Sequence, residues 1–342
     1  MSSLNVETFL VSKPENIRYL SGFTGGSDAK LLITPQDKYI ISDSRYREQI
    51  VRESPGWCPV EEKNYDNSQL ALLTANFSNM GFESQSISYD TFKLMEVDLK
   101  SQLLPLTDMV EKDRIIKDQD ELEFIKKAAQ IGDNVFTDMI DQIKPGMSEK
   151  KIANEIAYLL RERGCEKEAF DSIVVAGENA ALPHGKPGNR LIADGDMITM
   201  DFGGFYQGYL ADMTRTVAVG KVSTDLYDKY MAVLEAQELG ISLVKAGIRC
   251  KDLDKAVRDR LKLLGLDDFF LHSTGHGVGL EVHEQPTVSA KSEAVLISGM
   301  VVTIEPGIYI KGWGGIRIED TVIVKDDGCE VLTRSDKAIL KI

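Results

Sequence analysis

The feature that most constrains this chain is an internal repeat. The segment KPGMSEKKIANEI at 144–156 reappears as KAGIRCKDLDKAV at 245–257, an offset of 101 positions. Ile152, Ile156 and Leu159 match Leu253, Val257 and Leu261 in helical spacing, and each copy follows one amphipathic helix and opens another. A β-rich segment comes after each copy: Met197 to Val219 in the first, Met300 to Val324 in the second. The first contains Asp201 and Asp212, the second Glu305 and Glu319, at offsets of 104 and 107, so the acids recur in register with the repeat. Two related halves that pack their sheets together bring four acids to one pseudo-symmetric centre.

Acids in apolar strands need a reason, because an ionised carboxylate taken from water costs several kcal/mol unless it is paired, protonated or bound to metal. Taken singly, each reads as a salt-bridged core or turn residue; four at related places read as a site. The chain has four histidines, His184, His272, His276 and His283, and three of them fall within HSTGHGVGLEVHE at 272–284, among glycines that let backbone approach a ligand. Carboxylates with imidazole suit Mn, Zn, Co or Fe better than calcium, which prefers oxygen alone. One histidine and four acids make five ligands, enough for two metals about 3.5–4 Å apart. The GHGVG run at 275–279 lacks the ending of a phosphate-binding loop, and Ser273 lacks the G-x-S-x-G turn of a serine hydrolase.

The first hundred residues alternate short β-like runs, Phe9 to Val11, Lys30 to Thr34 and Tyr39 to Ser42, with helical stretches, which predicts a small α/β domain. From Asp118 the chain places Leu122, Ile125, Ala129, Phe136, Met139 and Ile143 on one face of a long helix, and the domain boundary is expected near residue 112. The net charge of −14 works against nucleic acid or an anionic membrane as the main partner. No run approaches the ~18 apolar residues of a membrane span, and residues 1–10 lack the pattern of a signal peptide. Cys58, Cys165, Cys250 and Cys329 are scattered, which fits free thiols in a cytoplasmic protein.

These residues resemble the pita-bread metallopeptidases, comprising aminopeptidase P, prolidase and methionine aminopeptidase, with the metal-free creatinases as relatives. Residues 272–284 match the signature shared by aminopeptidase P and prolidase; PHG at 183–185, DFG at 201–203, DMTR at 212–215, IEPG at 304–307 and RIED at 317–320 follow the family in order and approximate spacing. NIRYLSGF at 16–23 and DSRY at 43–46 look like the creatinase-type amino-terminal domain. The resemblance implies an α/β domain over 1–111 and an α+β pita-bread domain with a pseudo-twofold repeat over 112–342. It implies two divalent metals, Mn first with Co or Zn as alternatives: Asp201 on one, Asp212 and Glu319 bridging both, His276 and Glu305 completing the second. It further implies a bridging water or hydroxide as nucleophile, Glu305 as proton shuttle, His184 and His283 as substrate-binding residues near the scissile amide, and His272, Tyr309 and Arg317 as proline-pocket residues. The expected activity on proline-containing peptides is removal of an amino-terminal residue that precedes proline. A strict Xaa-Pro dipeptidase is the first alternative, and a non-catalytic binding module that kept the fold is the second. Prolidases of this type often carry arginine after the H-E-x-P segment, whereas Thr287 follows Pro286 here, which places the aminopeptidase first. A homodimer is expected, with the first domain limiting which peptides reach the metals.

Overall fold

The computed structural model describes residues 6–63 and 66–342; residues 1–5 of the segment searched for a signal peptide lie outside it. The chain forms two compact units, Met1–Arg114 and Ile115–Ile342.

Among the described residues of the first unit, strands β1 (Thr8–Val11), β2 (Ala29–Ile33), β3 (Lys38–Ser42), β4 (Cys58–Glu61), β5 (Asn79–Glu83) and β6 (Gln102–Leu106) form one sheet in the order β4-β3-β2-β1-β5-β6. The pairs β1-β2 and β2-β3 are antiparallel, the first joined across the helix Pro14–Ser21 and the second by a short turn, while the pairs β3-β4, β1-β5 and β5-β6 are parallel. Parallel neighbours need crossovers, and helices Arg47–Glu53, Ser68–Thr74 and Tyr89–Asp98 lie between β3 and β4, β4 and β5, and β5 and β6. Successive strand residues serve opposite faces. Phe9, Val11, Leu31 and Ile40 join one buried cluster, and Leu10, Leu32 and Ile41 join another. With both faces covered, these strands read as apolar runs instead of alternating ones.

The second unit repeats itself. Helices Gln119–Gln142 and Glu149–Glu162 lead the first half, and Thr224–Leu243 and Cys250–Leu263 lead the second. Asp118 and Glu121 close a capping box on the first helix, which joins an entropically costly start to a buried apolar stripe. Strands β7 (Lys167–Glu168), β8 (Ile173–Ala176), β9 (Met197–Tyr206) and β10 (Tyr209–Ala218) form the first half's sheet. The second half contains β11 (Gly275–Gly277), β12 (Glu284–Val288), β13 (Val301–Ile304), β14 (Gly307–Ile310), β15 (Gly314–Arg317), β16 (Asp320–Lys325) and β17 (Gly328–Val331). Of these, β12-β11-β13-β16-β17 make one sheet and β14-β15 a separate pair.

The halves differ where the acids lie. In the first, β9 and β10 pair continuously from Met197↔Ala218 to Tyr206↔Tyr209. In the second, the corresponding hairpin is interrupted at Glu305-Pro306 and at Ile318-Glu319, which splits it into β13-β16 and β14-β15. Pro306 has no N–H to give to the ladder, and the Glu319 N–H turns to the Thr214 carbonyl of the other half at 3.1 Å. Threonines join the halves there. Thr321 Oγ1 donates to the Asp212 carbonyl at 2.7 Å, Thr214 Oγ1 to Glu319 Oε2 at 2.6 Å, and Thr216 Oγ1 to the Arg317 carbonyl at 2.8 Å. All four cysteines are free. Among the described residues no helix is long and apolar enough to cross a membrane.

Candidate metal centre

Asp201 lies opposite Thr214 and Asp212 opposite Gly203 in the β9-β10 register, so strand alternation puts Asp201, Asp212 and Thr214 on one face. Glu305 and Glu319 enter from the two interruptions of the second hairpin. Freed from the ladder, Glu305 is fixed by its N–H to the Thr274 carbonyl at 2.8 Å. His276 comes from β11, wedged between β12 and β13. The glycines around it are a packing requirement: a Cβ on Gly275 comes within 1.8 Å of the Thr303 carbonyl oxygen, and one on Gly277 within 2.4 Å of that of Gln285.

The ligand atoms of Asp212, His276 and Glu319 lie within 4.8 Å of one another. Glu305 Oε1 is 3.3 Å and Asp212 Oδ2 3.9 Å from His276 Nε2. Asp201 borders the group, its Oδ2 accepting from Arg317 Nη2 at 2.6 Å. Asp201, Asp212, Glu319 and His276 are all buried. A carbonyl can only accept, so the 3.0 Å contact of His276 Nδ1 with the Gly277 carbonyl places the ring proton on Nδ1 and aims the Nε2 lone pair at the acids.

The electrostatics of this cluster are those of several carboxylates sharing one buried space. Burial pushes the Asp212 carboxyl well above the usual carboxylate range, and the charges of Glu319, Asp201 and Glu305 add to it. Burial and the Glu319 charge raise Glu305, against the opposing pull of Arg317. Glu319 is pushed up to about 8 by burial and Asp201, with the Thr214 hydrogen bond opposing. His276 is lowered to about 4, by burial first and then by His283, which keeps it neutral at working pH. Among the described residues, Asp201 Oδ1, Asp212 Oδ1 and Glu319 Oε1 are buried without a hydrogen-bond partner. Unpaired carboxylate oxygens and an imidazole lone pair converge on one another, and buried acceptors of this kind are stabilised by a divalent ion. The donor set therefore fits a metal.

The other expected residues form a border. His272 Nδ1 donates to the Ser273 carbonyl at 2.8 Å, and its Nε2 accepts from Tyr309 Oη at 2.8 Å. Tyr309 Oη in turn accepts from Arg317 Nη1 at 2.7 Å. This chain ties the proposed proline pocket to Asp201. Burial, then the Arg317 charge, lowers His272 to about 4, and burial raises Tyr309 to about 12. His184 and His283 are exposed, with the His283 ring edge-on to His276 at a centroid distance of 4.4 Å. His184 is near enough to both His272 and His283 that its charge helps to lower them, after burial.

The pattern of Metallopeptidase family M24 matches residues 123–326, and that of the Creatinase/Prolidase N-terminal domain matches residues 1–116. The chain belongs to metallopeptidase family M24. Its architecture is the creatinase-type amino-terminal domain followed by the pita-bread domain, as the resemblance implied, and the family implies divalent metal ions. This M24 chain is 38% identical to an Xaa-Pro dipeptidase from Bacillus anthracis, with a TM-score of 0.97 over 100% of this chain and 96% of that one. It is 36% identical to an X-Pro aminopeptidase from Thermotoga maritima, with a TM-score of 0.92 over 100% and 99%. It is also 36% identical to the Xaa-Pro dipeptidase of Pyrococcus furiosus over 99% of this chain and 97% of the relative.

Sequence reasoning on the M24 chain passed over the residues beneath the centre. Arg215 and Asp320, both buried, pair at 2.7 Å on the side of their strands away from the ligands. Thr214 serves the centre twice, as donor to Glu319 and as acceptor from Arg317 Nε at 3.0 Å. A signal for the first pair was present: Arg215 follows the ligand-facing Thr214, and Asp320 follows the proposed ligand Glu319.

Proposed function

We propose that this M24 chain is an Xaa-Pro peptidase with two divalent metal ions, and that it cleaves the bond between an amino-terminal residue and proline, with Xaa-Pro dipeptides as its first substrates. The observation that carries the reading is the match along nearly the whole length of the chain to relatives named Xaa-Pro dipeptidase. Those relatives move the dipeptidase ahead of the aminopeptidase that Thr287 favoured. The aminopeptidase reading keeps one support, the equally full-length likeness to an X-Pro aminopeptidase.

Asp201, Asp212, His276, Glu305 and Glu319 are the residues to hold the ions, Mn first and Co or Zn as alternatives, since carboxylates with imidazole suit these metals. When bound, such ions polarise the scissile carbonyl and bring the pKa of water down toward about 7. Glu305 takes the proton of the attacking water and returns it to the proline nitrogen as the C–N bond breaks. His184 and His283, both exposed, are the residues to meet the scissile amide and its amino-terminal side. Arg317, Tyr309 and His272 form the proline pocket, with Arg317 as the donor to a proline carbonyl or carboxylate and Tyr309 holding His272 and Arg317 together.

The test compares hydrolysis of Ala-Pro with that of Ala-Pro-Ala at saturating Mn²⁺. Cleavage of Ala-Pro with little cleavage of the tripeptide supports the dipeptidase, efficient cleavage of the tripeptide supports the aminopeptidase, and absence of both overturns the enzyme reading in favour of a binding module. The chain is further proposed to be a homodimer; light scattering at the mass of a single chain contradicts that.

A further inference from the structure

Two buried carboxylates of the second unit belong neither to the ligand set nor to its border. Glu149 opens the helix Glu149–Glu162, and Asp254 lies on the helix Cys250–Leu263; both have 0% of their surface exposed. One comes from each half of the repeat. Each gives at least one oxygen to the main chain of a segment that carries one of the histidines proposed to meet the substrate.

Glu149 Oε1 accepts from Ala176 N–H at 2.8 Å and from Asn179 Nδ2 at 3.1 Å, and Oε2 accepts from Gly188 N–H at 3.0 Å. Ala176 ends β8 and Gly188 lies twelve residues on, so one carboxylate draws together both ends of the loop that contains His184. The same loop is gripped at its middle, where the Pro183 carbonyl accepts from Arg317 Nη1 at 3.2 Å. Asp254 Oδ1 accepts from Thr274 N–H at 3.2 Å and from Thr274 Oγ1 at 2.8 Å, and its Oδ2 accepts from Arg258 Nε at 2.8 Å. Arg258 then donates to the carbonyls of Phe270 and His272, with its guanidinium 4.3 Å from the centroid of the Phe270 ring. His272 is thereby held on both sides, at its own carbonyl and at Thr274.

We propose that Glu149 and Asp254 are positioning residues for the reaction, Glu149 setting His184 and Asp254, through Thr274 and Arg258, setting His272. This rests on the reading above that these histidines face the substrate. Burying a carboxylate is costly, and what offsets it here is several fixed donors, from residues 176–188 for Glu149 and from Thr274 and Arg258 for Asp254. A loop closed at both ends by one rigid acceptor loses the freedom that would let its histidine wander, and a misplacement of about 1 Å can cost about 10²-fold in rate. Glutamine or asparagine at these places keeps the shape but turns one acceptor into a donor that faces another donor.

The test has two arms. In the first, Zn²⁺-loaded enzyme labelled at histidine Cε1 is followed by NMR, where four histidines give four signals. Glu149→Gln should move the His184 signal and leave His272 in place; Asp254→Asn should do the reverse. Equal movement of all four signals in both variants, or of none, overturns the proposal. In the second arm, Glu149→Gln should lower kcat/KM on Ala-Pro by about 10- to 100-fold in the wild-type background and by less than about 2-fold in His184→Ala, because its effect passes through that side chain. Asp254→Asn should behave likewise toward His272→Ala, while the crossed pairs multiply. An undiminished effect in the matched background contradicts positioning and leaves a purely structural role. Asn179→Ala and Thr274→Val, each of which removes one donor, replace the carboxylate variants if those do not fold. If wild-type enzyme with metal bound cleaves neither Ala-Pro nor Ala-Pro-Ala, the functional reading fails, and the NMR arm still decides the positioning.

Discussion

Replacing Arg215 by methionine isolates the charge pair beneath the centre. Arg215 and Asp320 side chains are 1% and 0% exposed. Arg215 Nη2 also donates to the Ser335 carbonyl at 2.9 Å, and Nη1 donates to the carbonyls of Thr214 and Glu319. Burial alone raises Asp320, but Arg215 and then Lys337 outweigh it and hold the carboxyl below its usual range. Breaking a buried pair by removing one partner costs about 3–5 kcal/mol. Lys337 Nζ, 2.7 Å from Asp320 Oδ2, remains in Arg215→Met, which points to the lower end, about 3 kcal/mol. At about 2–4 °C per kcal/mol for a domain of this size, Tm should fall by about 6–12 °C. The sign with pH follows from the depressed carboxyl. Its stabilisation is present above the unfolded-state value and lost as pH falls through the folded-state one, so wild type should lose stability below about pH 4 more steeply than the variant. Calorimetry on metal-stripped protein measures both, free of metal linkage. The double variant Arg215→Met with Asp320→Leu removes both fully buried charges, leaves the partly exposed Lys337 to turn to solvent, and should be less destabilised than Arg215→Met alone. A Tm change under about 2 °C in the single variant, or simple additivity in the double, refutes the reasoning.

Glu305→Gln retains a ligand oxygen but cannot accept the water's proton, so kcat should fall by at least about 10²-fold with metal content unchanged by elemental analysis. His276→Ala should lower the occupancy of one metal while circular dichroism stays native, since carboxylates still hold the other; two tightly bound metals in this variant move the ligand assignment elsewhere. Metal-stripped enzyme should lose stability as pH rises from about 4.5 toward 8, because Glu319, raised to about 8, is folded in its protonated form and the unfolded chain releases that proton earlier. Added divalent metal should reverse the trend, and urea titrations at pH 5 and pH 8 with and without metal check it.

The repeat, the long capped helix and the strand acids were legible because each is a local or periodic signal. Asp201 and Asp212 stand out as charges inside apolar strands, and the pleat alone predicts their common face. The interruption of the second hairpin was half legible: Pro306 announces a break, but nothing local says that the Glu319 N–H leaves its strand for Thr214. Glu149 and Asp254 were invisible as functional candidates. They lie on helices among other acids, and their main-chain partners, Ala176 and Gly188 for Glu149 and Thr274 for Asp254, are some 20–39 positions away, so only the fold shows that these oxygens face main chain and not water. Exposure was also beyond the sequence: His184, His272, His276 and His283 are one residue type, yet His276 is buried with its lone pair on the acids, while His184 and His283 are exposed.

The central claim is that the Asp201, Asp212, His276, Glu305 and Glu319 cluster binds the divalent ions on which peptidase activity depends. Crystals equilibrated with Mn²⁺ and measured at the Mn absorption edge test it most directly. The account predicts two anomalous peaks about 3.5–4 Å apart among these five side chains, with the Asp212 and Glu319 carboxylates contacting both. Peaks elsewhere, or an empty cluster in crystals of protein that hydrolyses Ala-Pro, would contradict it.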